Sequence, residues 1–518
     1  MVSHLHRSGL STAVGIALWS LAGTVAAAQG PSSSQTPYIT PTATGWQVTS
    51  LVSVGDSPKN GGYPMAGIPD GLGAVPGRFH EVSGDYIADR AYMTVFMNHE
   101  LRPGTGAVRA HGQNGAFVSQ WTVHLNSLTA TRGEDLIHAV KTWNPATMSF
   151  ADTTGTTQFN RFCSADLPPK SAFFNSANDT GFDGLIFMNG EEAGSEGRAF
   201  AHVVSGDEKG TSYELPYLGK FSWENSVAHP NARNKTIVVG MDDSTPGQVY
   251  VYVGDKQRKG NPVEQAGLQG GKLYGIKVID GGANYGGSAA ALENGGAING
   301  KFVLEDVSDV ATGTGAVLQT TSVARQITEF ARPEDGHWDT EDTKVFYFVT
   351  TGAAVGGQTQ TARLYKLSFD SLRNPAGGTI ELVVDSASLT GGDGEIARSF
   401  DNITVDDDGQ VLIQEDPGNS AYIAKTWKVD PAKPLAAVQI FESDRNRFLL
   451  GAPAFLTQDE ENSGIIEVTD IVQKARWAER GRRYYLGDMQ AHYPNGAELV
   501  EGGQLYLMAS PARAKKND

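Results

Sequence analysis

The chain has 518 residues, with 41 basic against 58 acidic side chains, a formal charge of −17 and one cysteine. The acidic surplus excludes binding driven by basic patches, the usual way to take up nucleic acid or anionic membrane, and it suits cations. A lone cysteine excludes an intramolecular disulfide scaffold, and nothing after residue 28 has the roughly 18 unbroken apolar residues of a membrane helix.

Residues 1–28 read as a secretory signal peptide, with Arg7, no acidic residue, an apolar run from Ala13 to Ala22 and a closing Ala26-Ala27-Ala28. No twin-arginine pair precedes the run, so the general secretory route to the periplasm or the exterior is expected. Residues 29–45 are rich in Ser, Thr and Pro and are expected to form a disordered lead-in. A single folded domain is expected over 46–510.

From residue 92 onward, short β-branched and aromatic runs recur between turn residues, at 92–97, 184–188, 236–240, 248–253, 345–349 and 362–367. Their lengths and boundaries predict strands. Further runs follow at 401–413, 483–486 and 504–508, with Asp408-Gly409 as a hairpin turn. Hairpins without crossover helices point to an all-β propeller, sandwich or barrel. No repeat of 40 to 50 residues is visible, although the mature length accommodates about six blades of that size. The glycine-rich residues 259–320 read as an insertion or a long excursion between strands.

Acidic and amide residues concentrate at strand ends: Asn98-His99-Glu100, Glu191-Glu192, Glu224-Asn225, Glu334-Asp335, Asp401-Asn402, Gln414-Glu415-Asp416 and Asp459-Glu460-Glu461-Asn462. That is where a β-architecture presents side chains to a shared mouth. Cys163 is by default a small buried hydrophobe. A thiolate nonetheless selects a softer transition metal, whereas calcium takes six to eight oxygens, so one cysteine among several carboxylates fits mixed metals. Glu191-Glu192 has a plain reading as solvated loop, Arg332-Pro333 as a turn, and His99 and His492 as structural histidines. No Gly-x-Ser-x-Gly, His-Glu-x-x-His or P-loop pattern occurs.

Taken in order, Asn98-His99-Glu100, Cys163 with Glu191-Glu192, Gly219-Lys220-Phe221-Ser222-Trp223-Glu224, Arg332-Pro333-Glu334 and Phe400-Asp401-Asn402 before Asp408-Gly409 cover most of residues 46–500. In that order they resemble the bacterial alkaline phosphatases of the PhoX type, exported enzymes that depend on calcium and iron. The resemblance implies a six-bladed β-propeller with insertions, whose central mouth holds two iron ions and several calcium ions. It implies that Cys163 is an iron ligand, that Glu224 and Glu334 bind iron or calcium, and that Glu191 or Glu192 with Asp401 and Asn402 bind calcium. Arg332 would be the catalytic residue that grips phosphate oxygens. The implied activity is hydrolysis of small phosphomonoesters through an iron- and calcium-activated oxygen. Alternatives are a phosphodiesterase, a phytase-like or other ester hydrolase, or a calcium-stabilised propeller that binds an envelope ligand without catalysis. The chain departs from the family at Ser164-Ala165-Asp166-Leu167-Pro168-Pro169, where a glycine-rich segment is usual, and in lacking a twin-arginine signal.

Overall fold

A computed structural model describes residues 26–59, 61–80, 86–279, 298–355, 358–359 and 361–513. Most of the expected signal peptide, residues 1–25, and part of the expected insertion, residues 280–297, lie outside the described residues. The structure is mostly β, and six strands organise it: β1 (Pro69–Pro76), β2 (Phe162–Asp166), β3 (Trp223–Ala228), β4 (Pro333–Trp338), β5 (Phe400–Val405) and β6 (Glu460–Glu467). Each is an end strand of its sheet and pairs antiparallel with the next strand of that sheet along the chain.

β1 begins a four-stranded sheet, β2 a six-stranded one, and β5 and β6 each a five-stranded one. β3 and β4 are the two ends of a nine-stranded sheet, and they lie against each other, so that this sheet nearly closes on itself. Around the whole molecule β1 adjoins β2, β2 adjoins β3, and so on through β6, which returns to β1. The β6 sheet joins the two ends of the chain, because Gln47–Ser53 pairs antiparallel with Glu501–Ala509.

Apolar side chains fill the spaces between consecutive sheets. Val75, Phe96 and Val118 meet Phe162, Phe187 and Phe200 between the first two sheets, while Leu72, Val95 and Trp121 meet Leu486 and Leu507 where the ring closes. Strands buried on both faces carry continuous apolar runs, which is why Val345–Thr350 and Val249–Asp255 were legible as strands.

Two expectations are corrected. Residues 29–45 are not a disordered lead-in. Ile39–Pro41 pairs with the strand Val438–Ser443, and Tyr38 and Ile39 are buried against Phe448 and Phe441. A Ser/Thr/Pro composition does not prevent an edge strand when two apolar residues can anchor it. Residues 259–320 are not a plain insertion either. Lys272–Val278 and Gly300–Asp306 are strands of the nine-stranded sheet, and the helix α1 (Gly315–Ala324) docks on the rim. Glu196 Oε1 accepts the Gly315 N–H at 3.0 Å, and Tyr250 shares a 2.9 Å hydrogen bond with Ser322.

Candidate active site

At one end of the ring the same backbone hydrogen bond recurs beside all six inner strands. The N–H of Glu100, Glu192, Asp243, Thr351, Asp416 and His492, each just beyond or at the end of a second strand, donates to the carbonyl of Ile68, Arg161, Ser222, Arg332, Ser399 and Asp459, at 2.8–3.0 Å. Two residues after each of those carbonyls stands Asp70, Cys163, Glu224, Glu334, Asp401 or Glu461. Each inner strand and its neighbour thus bring two chosen positions to the mouth, one on the inner strand and one at the exit of the neighbour.

Every inner strand breaks register at this level. Cys163-Ser164, Glu224-Asn225, Glu334-Asp335 and Asp401-Asn402 are skipped by the pairing, as are Asn462-Ser463 and Gly71. A bulge re-aims side chains that strict alternation would send into the sheet faces. Ile68, Arg161, Arg332 and Ser399 also adopt left-handed backbone angles, with φ of 51°, 48°, 60° and 48°. Non-glycine residues hold that conformation at a cost of about 1–3 kcal/mol, and such strain gathers at functional sites.

The result is three overlapping groups of potential ligand atoms: Asp70, Glu100 and Cys163; Cys163, Glu192 and Glu224; and Glu224, Glu334 and Asp401, with the atoms of each group within 4.8 Å of one another. Cys163 and Glu224 are each shared by two groups, so the sites form a continuous arc. Burial and neighbouring acids push the carboxyls of Asp70, Glu192, Glu334 and Asp401, and the Cys163 thiol, well above their ordinary ranges. Burial pushes Glu224 up to about 8. Like-charged groups packed this tightly require cations to ionise together.

Two arginines supply part of that charge. Arg332 Nε and Nη2 bond the Asp243 carboxylate at 2.7 and 3.1 Å, and Nη2 also reaches Glu334 Oε1 at 3.0 Å. Arg161 bonds Glu100 through Nε at 2.5 Å and Glu192 through Nη2. Below the acids lies a polar layer. Ser164 Oγ donates to Glu224 Oε1 at 2.6 Å and accepts from Asn402 Nδ2 at 2.6 Å, while Asn225 Nδ2 donates to Asp335 Oδ1 at 2.6 Å.

Of the residues singled out from the sequence, Cys163, Glu192, Glu224, Glu334 and Asp401 come together, with Arg332 beside them. Asn402 sits one layer down, bonded to Ser164. Glu191 points elsewhere: Arg198 clamps its carboxylate through Nε and Nη2, both at 2.7 Å, on the far face of the strand from Glu192. His99 is a structural histidine, bonded to Gly67 O and Ser119 Oγ and stacked on Phe117. Sequence reasoning missed Asp70, Asp243 and Arg161 as site residues. The available signal was the recurring pair of polar residues ahead of a small residue, as in Glu224-Asn225-Ser226, Glu334-Asp335-Gly336 and Asn462-Ser463-Gly464. Uneven spacing hides it, since Glu224 to Glu334 is 110 residues and Asp401 to Glu461 is 60.

The donor set fits a mixed-metal centre. It offers one soft thiolate flanked by hard carboxylates, all buried, with more potential negative charge than the two arginines can offset.

The family model described as alkaline phosphatase PhoX matches residues 195–433, a span that contains Glu224, Arg332, Glu334 and Asp401. No curated protein matches the chain in sequence. Among solved structures, Pseudomonas fluorescens PhoX in complex with vanadate, a transition state analogue, is similar in fold. Its TM-score is 0.57 at 12% identity, covering 92% of this chain and 96% of that one. A putative 6-phosphogluconolactonase from Bacteroides uniformis aligns with a TM-score of only 0.30 at 11% identity, over 71% of this chain and 82% of its own. The sequence match to the alkaline phosphatase PhoX model is thus confined to residues 195–433, while the likeness to Pseudomonas fluorescens PhoX over most of the chain is one of fold.

Proposed function

We propose that the chain is an exported phosphomonoesterase whose acidic arc binds iron and calcium at the mouth of a six-bladed propeller. The observation that carries the reading is the arc itself, three ligand groups joined by Cys163 and Glu224 with Arg332 at its edge. Six inner strands in a closed ring, each repeating one backbone hydrogen bond, support the propeller. The N-terminal apolar run supports export.

When bound, the metals would polarise phosphoryl oxygens and make a water acidic enough to attack near neutral pH. Cys163, Glu192 and Glu224 would hold one ion, Glu224, Glu334 and Asp401 a second, and Asp70, Glu100 and Cys163 a third. Thiolate ligation at Cys163 suits iron; all-oxygen groups suit calcium. Arg332 keeps its fork rigid against Asp243 and Glu334, which leaves Nη1 free among the described residues to bond phosphoryl oxygens. Charge that accumulates on those oxygens in the transition state is thereby stabilised by a donor already in place. Ser164 and Asn402 fix the Glu224 carboxylate from below, so the donor set does not have to reorganise as the substrate enters.

The test is metal analysis of the purified protein together with hydrolysis of p-nitrophenyl phosphate and its inhibition by vanadate. Iron and calcium in the protein, vanadate-sensitive turnover, and loss of both iron and turnover in Cys163→Ala support the reading. A metal-replete protein that hydrolyses no phosphate ester overturns it. A panel of phosphodiesters and inositol phosphates distinguishes the related hydrolases.

A further inference from the structure

Arg161 occupies in the β2 sheet the position that Arg332 occupies in the β4 sheet. Both stand two residues before a residue of the arc and have left-handed backbone angles. Their carbonyls accept the same recurring hydrogen bond, and their guanidinium groups bridge two carboxylates. Arg161 straddles the arc where two groups meet at Cys163, and its Nη1 has no partner among the described residues.

Beside Arg161 a cleft of about 270 Å³ opens, lined among others by Arg102, Thr105, Glu100, Glu461 and His492. Its acids are engaged. Glu100 Oε2 accepts from Gln490 at 2.8 Å, Glu461 Oε1 from Ser463 at 2.7 Å, and Glu501 Oε2 bonds His492 Nδ1 at 2.5 Å. Arg102 is exposed, and its guanidinium has no carboxylate partner among the described residues. Arg161 is already held by Glu100 and Glu192, and His492 by Glu501, so Arg102 is the cation in this cleft without a carboxylate partner among the described residues.

We propose that this cleft receives the leaving-group side of the ester and that Arg102, with Arg161 behind it, selects phosphomonoesters whose leaving group carries an anion of its own, a carboxylate or a second phosphate. The proposal rests on the phosphomonoesterase reading above. Guanidinium forks match both anions, and a cation at the cleft wall would favour such substrates over neutral alcohol esters of the same length.

The experiment compares kcat/KM for 2-phosphoglycolate, 1,2-ethanediol bisphosphate and ethyl phosphate in the metal-loaded protein and in Arg102→Ala. Because Arg102 is exposed, the variant should fold. The wild type is expected to prefer one or both doubly anionic esters by about tenfold, which corresponds to about 1.4 kcal/mol, and Arg102→Ala to lose most of that preference. Which ester is preferred tells carboxylate from phosphate. Calorimetric binding of phosphonoacetate against ethylphosphonate provides the same comparison without turnover. Equal ratios in wild type and variant, by both measurements, overturn the subsite and leave the phosphatase reading intact. If the metal-loaded wild type hydrolyses none of the esters and binds neither phosphonate, both readings fall together.

Discussion

Ser164 and Glu224 are joined across two neighbouring inner strands by a 2.6 Å hydrogen bond, and Asn402 from a third inner strand closes on the same hydroxyl. Three separate sheets are thereby tied just beneath the acidic arc. Ser164→Ala would strip the Glu224 carboxylate of its donor and leave the Asn402 amide unpaired in a buried layer. A loss of about 1–3 kcal/mol in stability is expected. Metal affinity should fall about 10–100-fold, as is usual when a group that orients a ligand is removed. Denaturant melts and a chelator competition check this. Unchanged metal retention would show that Glu224 is held by other means.

Gly71 lies where β1 passes close against β2. A Cβ added there would stand 2.4 Å from Ala165 N and 2.5 Å from Ser164 C, against backbone that cannot swing aside. Gly71→Ala is therefore expected to wedge the two strands apart at the level of Cys163. Iron content should drop more than overall secondary structure, which metal analysis and far-UV circular dichroism would separate.

Stripping the metals should make stability depend on pH in a particular direction. Burial pushes Asp166 up to about 8, Asp335 to about 7 and Glu224 to about 8. In the unfolded chain these carboxyls lose their protons near pH 4. Between pH 4 and 8 the folded, metal-free protein thus holds protons that the unfolded chain has released. The stability that they contribute is complete below pH 4 and is lost as the pH rises through 7 to 8. The Tm of chelator-treated protein should fall from pH 5 to 8, and less steeply with metals restored, since Glu224 but neither Asp166 nor Asp335 belongs to the ligand groups. A stripped protein whose Tm climbs across that range would contradict these shifts.

Arg332→Lys keeps the charge but not the fork that spans Asp243 and Glu334. Its turnover should fall about 100-fold or more, in line with the loss of one preorganised donor at a transition-state oxyanion. Arg332→Ala also leaves the buried Glu334 carboxylate with less compensation, so its Tm should drop below that of the lysine variant. Steady-state kinetics with a thermal melt resolves the two effects, and equal activity of the wild type and the Arg332→Lys variant would remove the fork from the mechanism.

Much of the site was legible locally. Cys163, Glu192, Glu224, Glu334 and Asp401 stand out as a lone cysteine and as acids near the ends of apolar runs, and their ligand roles come from the order of motifs that resembles the PhoX type. Glu191 and Glu192 show the limit of that reasoning. The two are adjacent and chemically identical, yet alternation along the strand sends one to Arg198 and the other to the arc. Asp70 stands alone in the sequence, and Asp243, although it follows Asp242 at the end of the 236–240 run, has nothing local to connect it with Arg332; only the closure of the ring brings them to the mouth.

The sequence by itself determined that the chain is β-rich, acidic, free of disulfides and suited to holding cations with one thiolate and many carboxylates. Those properties follow from composition and from short-range alternation, which act within a few residues. Only the tertiary structure decided which acids share a centre. The six two-residue offsets are uniform in space but separated by loops of very different length, so no period survives in the chain. Loop length costs little free energy once the ends are held together, and the repeat could therefore persist in the fold while vanishing from the sequence.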